Sequence, residues 1–146
     1  IDAPAVDQMC IDERADGWTC GAEARDQLAR LIDGKQVRCG DLGPDPAYKK
    51  RRLGLCIVEG ETASLGQLLV QKGFALADAK GKFKPDEMAA KAERRGLWKG
   101  CFAAPGDFGI WKKDAALLGS ACRADRDQQI RAVLFPADPV MPVIDT

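Results

Sequence analysis

Six cysteines and no histidine in a chain of 146 residues constrain this sequence more than any other feature. Cysteines at that density in a short chain point to disulfides, and so to an oxidising compartment, because cytosolic thiols are kept reduced. The competing use is structural zinc, which takes thiolate and imidazole ligands at short paired spacings. The chain has no imidazole and no Cys-x-x-Cys pair, so zinc is set aside. Six cysteines can pair in fifteen ways, and their number alone leaves those open.

The length fits one domain, or one domain with an extension. A hydrophobic fraction of 46% suits a globular chain. The longest apolar runs, Leu53 to Val58 and Leu65 to Val70, are far shorter than a membrane-spanning helix. No basic, apolar leader stands at the start. Net charge is zero but unevenly placed: residues 1–47 carry ten acidic and five basic side chains, residues 48–100 six acidic and twelve basic. The run Lys49-Lys50-Arg51-Arg52, with Lys80, Lys82, Lys84, Arg94, Arg95 and Lys99 after it, can face phosphates without reading a sequence. An ordinary solvated face is the plainer reading. Overall neutrality argues against a dedicated nucleic-acid-binding protein.

Periodicity predicts a helix over 21–34, where Ala24, Leu28, Leu31 and Ile32 make one apolar stripe and Gly34 stops it. A strand follows near Gln36–Cys39, and Gly43-Pro44-Asp45-Pro46 forces a loop. Residues 52–58 alternate as a half-buried strand, with Leu53, Leu55 and Ile57 on the buried face and Cys56 on the other. A second helix starts at Ser64, with Gln67 completing a capping box and Gly73 ending it. Phe74–Ala77 reads as a short strand. A third helix begins at Pro85, with Asp86 and Glu87 at its positive end, and Gly96 terminates it. Leu97 and Trp98 are core anchors. After Cys101, the residues Phe102, Pro105, Phe108, Ile110 and Trp111 suggest a segment folded back on the domain. Asp125–Phe135 reads as a last helix, and Pro136, Pro139 and Pro142 make an extended tail.

Five short motifs run in order through the first hundred residues. They are Ile1-Asp2-Ala3-Pro4, Trp18-Thr19-Cys20-Gly21, Tyr48-Lys49-Lys50-Arg51, Gly73-Phe74-Ala75 and Gly96-Leu97-Trp98. Together they resemble the staphylococcal-nuclease-like (thermonuclease) family in its secreted bacterial branch. The resemblance implies an α+β fold: a five-stranded OB barrel with packed helices. It would occupy residues 1–103, with a C-terminal extension over 104–146. In that family three strands precede the Asp-x-Pro turn, so this chain enters the barrel at the end of the third. A barrel without those strands has an open edge and an uncovered core. The expectation is therefore a longer intact protein.

The resemblance also assigns roles. Metal-assisted phosphodiester hydrolysis needs a hard cation held by carboxylates, a base that activates water, and arginines facing the charge that builds on phosphate. Asp2 matches a calcium ligand. Ala3 matches a residue that gives only its backbone carbonyl. Ala5 stands where the family has its glutamate general base. Arg51 matches the catalytic, phosphate-contacting arginine, with Cys56 fixing the register, although the spacing from Tyr48 is one residue longer and Lys50 replaces a glycine. Arg52 and Lys49 are the neighbouring phosphate-binding candidates. Asp7 is the nearest carboxylate to the missing base, but it is shorter and displaced. A general base contributes about 10²- to 10⁴-fold, so its loss predicts weak activity at most.

The cysteines then favour three bridges: Cys10–Cys20 closing the insertion after the Asp-x-Pro turn, Cys39–Cys56 joining neighbouring strands, and Cys101–Cys122 from the remaining pair. The functional expectation is a periplasmic or secreted, disulfide-stapled module that has lost its base. It would bind calcium weakly or not at all. Its partners would be a nucleic acid or nucleotide, or a protein assembly of the cell envelope. The alternative is an active calcium-dependent phosphodiesterase.

Overall fold

The computed structural model describes residues 1–46, 48, 50–78 and 80–136. Among these residues the strands form three two-stranded antiparallel ribbons. β1 (Cys10–Ile11) pairs with β2 (Gly17–Trp18), and β3 (Val37–Pro44) with β4 (Arg52–Val58). β5 (Phe102–Ala103) pairs with β6 (Leu117–Leu118). Isolated bridges join Asp2 to Leu76, Ile11 to Cys101 and Ile57 to Ser64. The fold is thus mixed helix and strand of the α+β kind, and no closed barrel forms among the described residues.

Helix α1 (Cys20–Ile32) follows its apolar stripe, and Gly34 beyond it takes φ 68°. Helix α2 (Leu65–Gln71) is capped by Ser64, whose hydroxyl accepts the Gln67 amide at 3.2 Å. Only that half of the capping box forms. The Gln67 side chain turns away and donates to Asp86 at 3.1 Å, clamping α2 to α3 (Lys84–Ala92). Two short helices, α4 (Pro105–Gly109) and α5 (Asp127–Leu134), carry the last third of the described chain. The 3-10 turn Ala124–Arg126 precedes α5. The extended tail expected around Pro139 and Pro142 lies outside the described residues.

Several sequence expectations are corrected. The strand expected at Gln36–Cys39 runs on to Pro44, because pairing with β4 resumes past a register shift between Asp41 and Gly43. Phe74–Ala77 is no strand: its one ladder contact is Leu76 against Asp2, and Phe74 and Ala75 are buried as core instead. The Leu face of β4 is not buried. Leu53 and Leu55 stay 42% and 36% exposed, and Leu42 on the partner strand 61%. Ile1 and Phe83 border the same gap as these three without burying them. Ile110 and Trp111 also remain at the surface, whereas Phe102, Pro105 and Phe108 are buried.

The core lies elsewhere. One cluster packs Cys10, Cys20, Phe74, Leu97, Trp98 and Phe102, with Trp98 edge-on to Phe102 at 5.1 Å between centroids. A second joins Ile11 and Cys101 to Phe108, Ile130, Leu134 and Phe135. Fully burying side chains such as Phe102, Ile11 or Leu97 contributes about 1.5–3 kcal/mol each. Within the second cluster Ile11 and Cys101 exchange backbone bonds at 2.8 and 2.9 Å, and their chain neighbours Cys10 and Phe102 belong to the first. Residues after Cys101 are therefore built into the core. All three expected disulfides form, Cys10–Cys20, Cys39–Cys56 and Cys101–Cys122, and no cysteine is free.

Candidate functional site

The Asp-x-Pro turn is shaped by backbone contacts. The Gln8 amide donates to the Ala5 carbonyl at 2.9 Å, and the Gly21 amide to the Gln8 carbonyl at 3.1 Å. A Cβ on Gly21 would sit 1.7 Å from the Ala5 oxygen. This is why glycine ends the Trp18-Thr19-Cys20-Gly21 motif: α1 starts with its backbone pressed on the turn. Gln8 is fully buried and donates its side-chain amide to the Ala103 carbonyl at 2.9 Å. The turn is thereby fixed from both sides, while Ala5 and Asp7 remain exposed.

Asp2 pairs with Leu76 through two backbone bonds of 2.9 Å. Its carboxylate accepts the Gly106 amide at 3.0 Å, in the first turn of α4. Burial pushes the Asp2 carboxyl above the ordinary aspartate range; the Gly106 hydrogen bond pulls against this, and the Asp107 carboxylate adds to the push. Gly106 and Asp107 are the members of this site that sequence reasoning missed. Pro105 signals a helix start, but no local pattern marks a contact across 104 positions.

The arginines lie on the other ribbon. Arg51 closes the turn between β3 and β4: its amide donates to the Tyr48 carbonyl at 2.9 Å, and its guanidinium stacks 4.6 Å from the Tyr48 ring centroid. Arg52 is engaged differently. It grips the Asp41 carboxylate through Nε and Nη2 at 3.0 and 2.7 Å. The Arg52 hydrogen bond holds the Asp41 carboxyl below its usual range, helped by the Gly43 amide. Lys49 lies outside the described residues. No hydrogen bond or ion pair joins Asp2 to Arg51 or Arg52 among the described residues.

Calcium takes six to eight oxygen ligands, usually with several carboxylates. Among the described residues no group of three or more His, Cys, Asp or Glu side chains could hold a metal ion. Asp2 and the backbone around it do not make a calcium site by themselves.

A model of the staphylococcal nuclease homologue family matches residues 1–100. The chain belongs to that family. It is also similar to the succinoglycan biosynthesis protein ExoI of Rhizobium meliloti (strain 1021), at 30% identity over 103 residues. That alignment covers 68% of this chain and 52% of the relative, so the chain spans about half the length of the curated relative it matches. No solved structure matches the chain. A nuclease-like domain therefore carries Asp2, Ala5 and Arg51, and its three disulfides fit an oxidising compartment. Among the described residues no helix is long and apolar enough to cross a membrane.

Proposed function

We propose that this chain is a nuclease-like module impaired in catalysis, which serves a periplasmic or secreted protein by binding rather than cutting. Ala5 carries the proposal. By the family resemblance it takes the general-base position; it is exposed, on a turn whose Ala5 carbonyl accepts the Gln8 amide, and a methyl group can neither accept a proton nor order water. The Asp2 carboxylate, the family's metal ligand, is already bonded to Gly106 of the segment we assign as the extension, 104–146. Arg51, with Arg52 and Lys49, retains the positive charge to hold the phosphates of a nucleic acid or nucleotide. The similar protein of Rhizobium meliloti is named for succinoglycan biosynthesis and not for nucleic-acid breakdown, which fits a use other than cutting.

We further propose that strands before Ile1 complete the five-stranded barrel by packing on Leu42, Leu53 and Leu55. These residues share with Ile1 and Phe83 the lining of a gap of about 160 Å³.

The test is cleavage of single-stranded DNA by the full-length protein with calcium. The expected rate equals that of buffer, and Ala5→Glu raises it. Robust cleavage by the unaltered protein overturns the impaired reading. One observation favours the second reading, a calcium-dependent phosphodiesterase: the Asp2 carboxylate accepts the Gly106 amide, and the next residue along α4 is a second carboxylate, Asp107. On that reading the unaltered protein cleaves and Asp107→Asn abolishes the activity.

A further inference from the structure

Four arginines and a lysine line a cleft to which Asp2 and Arg51 contribute nothing. Arg14, Arg94, Lys99, Arg123 and Arg126 surround a cavity of about 470 Å³, with Glu13 the one carboxylate in its lining. Arg123 is held by Asp125 at 2.7 Å. The other four form no ion pair among the described residues. Five cations set against Glu13 and the Asp125 partner of Arg123 leave an excess of positive charge, which raises a local positive potential in a chain of zero net charge.

The residues come from separate segments on a common, rigid floor. The Arg14 loop is closed by Cys10–Cys20, and Asp12 accepts the Arg14 and Asp16 amides at 2.8 and 2.9 Å. Cys101–Cys122 pins the chain beside Arg123. The Ser120 and Ala121 amides donate to the Trp98 and Gly100 carbonyls at 3.0 Å each. This floor needs glycine: a Cβ on Gly100 would lie 1.8 Å from the Ile11 oxygen, and one on Gly119 2.1 Å from the Gly100 oxygen. Ala15 and Arg94, two of the three non-glycine residues with left-handed φ among the described residues, also line the cleft, at 68° and 54°. Arg94 holds this conformation just past the end of α3, where helices commonly place glycine. Backbone held in such a region persists only where its surroundings impose it.

We propose that this cleft binds a compact anion of linked phosphate groups, a polyphosphate or the phosphate tail of a nucleotide, independently of the Arg51 region. Arginine presents forked donors that match phosphate oxygens, and the volume lies within the range of about 300–1,000 Å³ typical of small-ligand sites. The cube root of that volume is about 8 Å. Linked phosphates concentrate several charges in such a span. A glycan with one carboxylate per sugar, or a strand with one phosphate per nucleotide, brings fewer. No aromatic ring lines the cleft, so stacking on a base contributes nothing and the phosphates carry the recognition.

The experiment is titration calorimetry of the full chain with sodium tripolyphosphate and, in parallel, a nucleoside triphosphate. It is run at about 0.15 M salt, with amide chemical shifts recorded alongside. Both ligands are expected to bind with similar affinity and to move the Ser120 and Ala121 amides. Arg14→Ser with Arg126→Ser should weaken both at least tenfold and flatten the salt dependence. Lys35→Ser with Lys72→Ser removes the same charge elsewhere and should change little. The proposal is overturned by no binding, by equal losses in the two double variants, by nucleoside triphosphate binding without tripolyphosphate, or by tighter binding of polygalacturonate. None of these outcomes bears on DNA cleavage at Ala5, so the two readings fail separately.

Discussion

The β3–β4 ribbon and the junction around Cys101 are each stapled by a disulfide, yet they are held in different ways. The ribbon is the longest paired element, with seven paired positions from Val37–Val58 to Pro44–Arg52. Within it, Val58 alone is buried. At the junction the strands are two residues long, but Ile11, Cys101, Phe102 and Ala103 are all at most 1% exposed. Backbone pairing alone gives a ribbon its shape. Side-chain burial gives a region its stability, and Arg51 and Arg52 sit on the region that lacks it.

The largest expected effect is at Phe102. Phe102→Ala should lower global stability by about 3–5 kcal/mol in denaturant titration. Leu55→Ser in the same chain should cost within about 0.5 kcal/mol, as at an ordinary surface position. In a longer protein whose added strands cover the Leu face, Leu55→Ser should instead cost much more, and this comparison reads out barrel closure directly.

The disulfides come next. The closed loops span 21 and 17 residues for Cys101–Cys122 and Cys39–Cys56, so chain entropy predicts similar contributions, typically about 2–4 kcal/mol. Serine pairs at Cys101 and Cys122 should therefore lower global stability by at least that amount, since both ends sit in or against a core cluster. Serine pairs at Cys39 and Cys56 should instead speed hydrogen exchange in the ribbon amides and spare those of Trp98 to Ala103, which is local opening. Equal global losses would erase the contrast.

Gly21→Ala probes the turn that carries Ala5. Its methyl meets the Ala5 carbonyl backbone, and overpacking of this kind costs about 1–3 kcal/mol. Thermal melts would read it.

The smallest effect concerns pH. The Asp2 carboxyl is raised in the folded state, chiefly by burial. The native chain therefore holds this proton to higher pH than the unfolded chain does. The associated stability is full below the ordinary aspartate value and is lost as pH rises through the raised one. Asp2→Asn keeps an acceptor for the Gly106 amide and has no such loss. Its melting temperature relative to the natural chain should rise over that window, measured with a chelator present. A fall would mean that the Gly106 hydrogen bond outweighs burial.

What was legible in the sequence was local. Ser64 and Gly73 bound α2, the stripe from Ala24 to Ile32 sets α1, and Cys39–Cys56 follows from two segments that read as neighbouring strands, with Cys101–Cys122 the pair that remains. Whatever depends on distant chain was hidden. Phe74–Ala77 has strand composition but meets one partner at Leu76, and the alternation of β4 does not reveal whether a layer covers its Leu face. The roles given to Asp2, Ala5 and Arg51 rest on the family resemblance, which short local motifs carry. Gly106 and Asp107 were not nameable, because backbone–carboxylate bonds leave no periodic trace. The Arg52–Asp41 grip was equally hidden, since nothing in the basic run marks which member is paired.

The fixings of the first eleven residues set an order of events during synthesis. Gln8 is secured to Ala103 and Asp2 to Gly106, partners 95 and 104 positions downstream. At ribosomal rates of about 5–20 residues per second, such partners emerge roughly 5–20 s later. Until then the side-chain amide of Gln8 and the carboxylate of Asp2 lack these two partners. This segment is made before its partners and is fixed only after α1, α2 and α3 have all emerged.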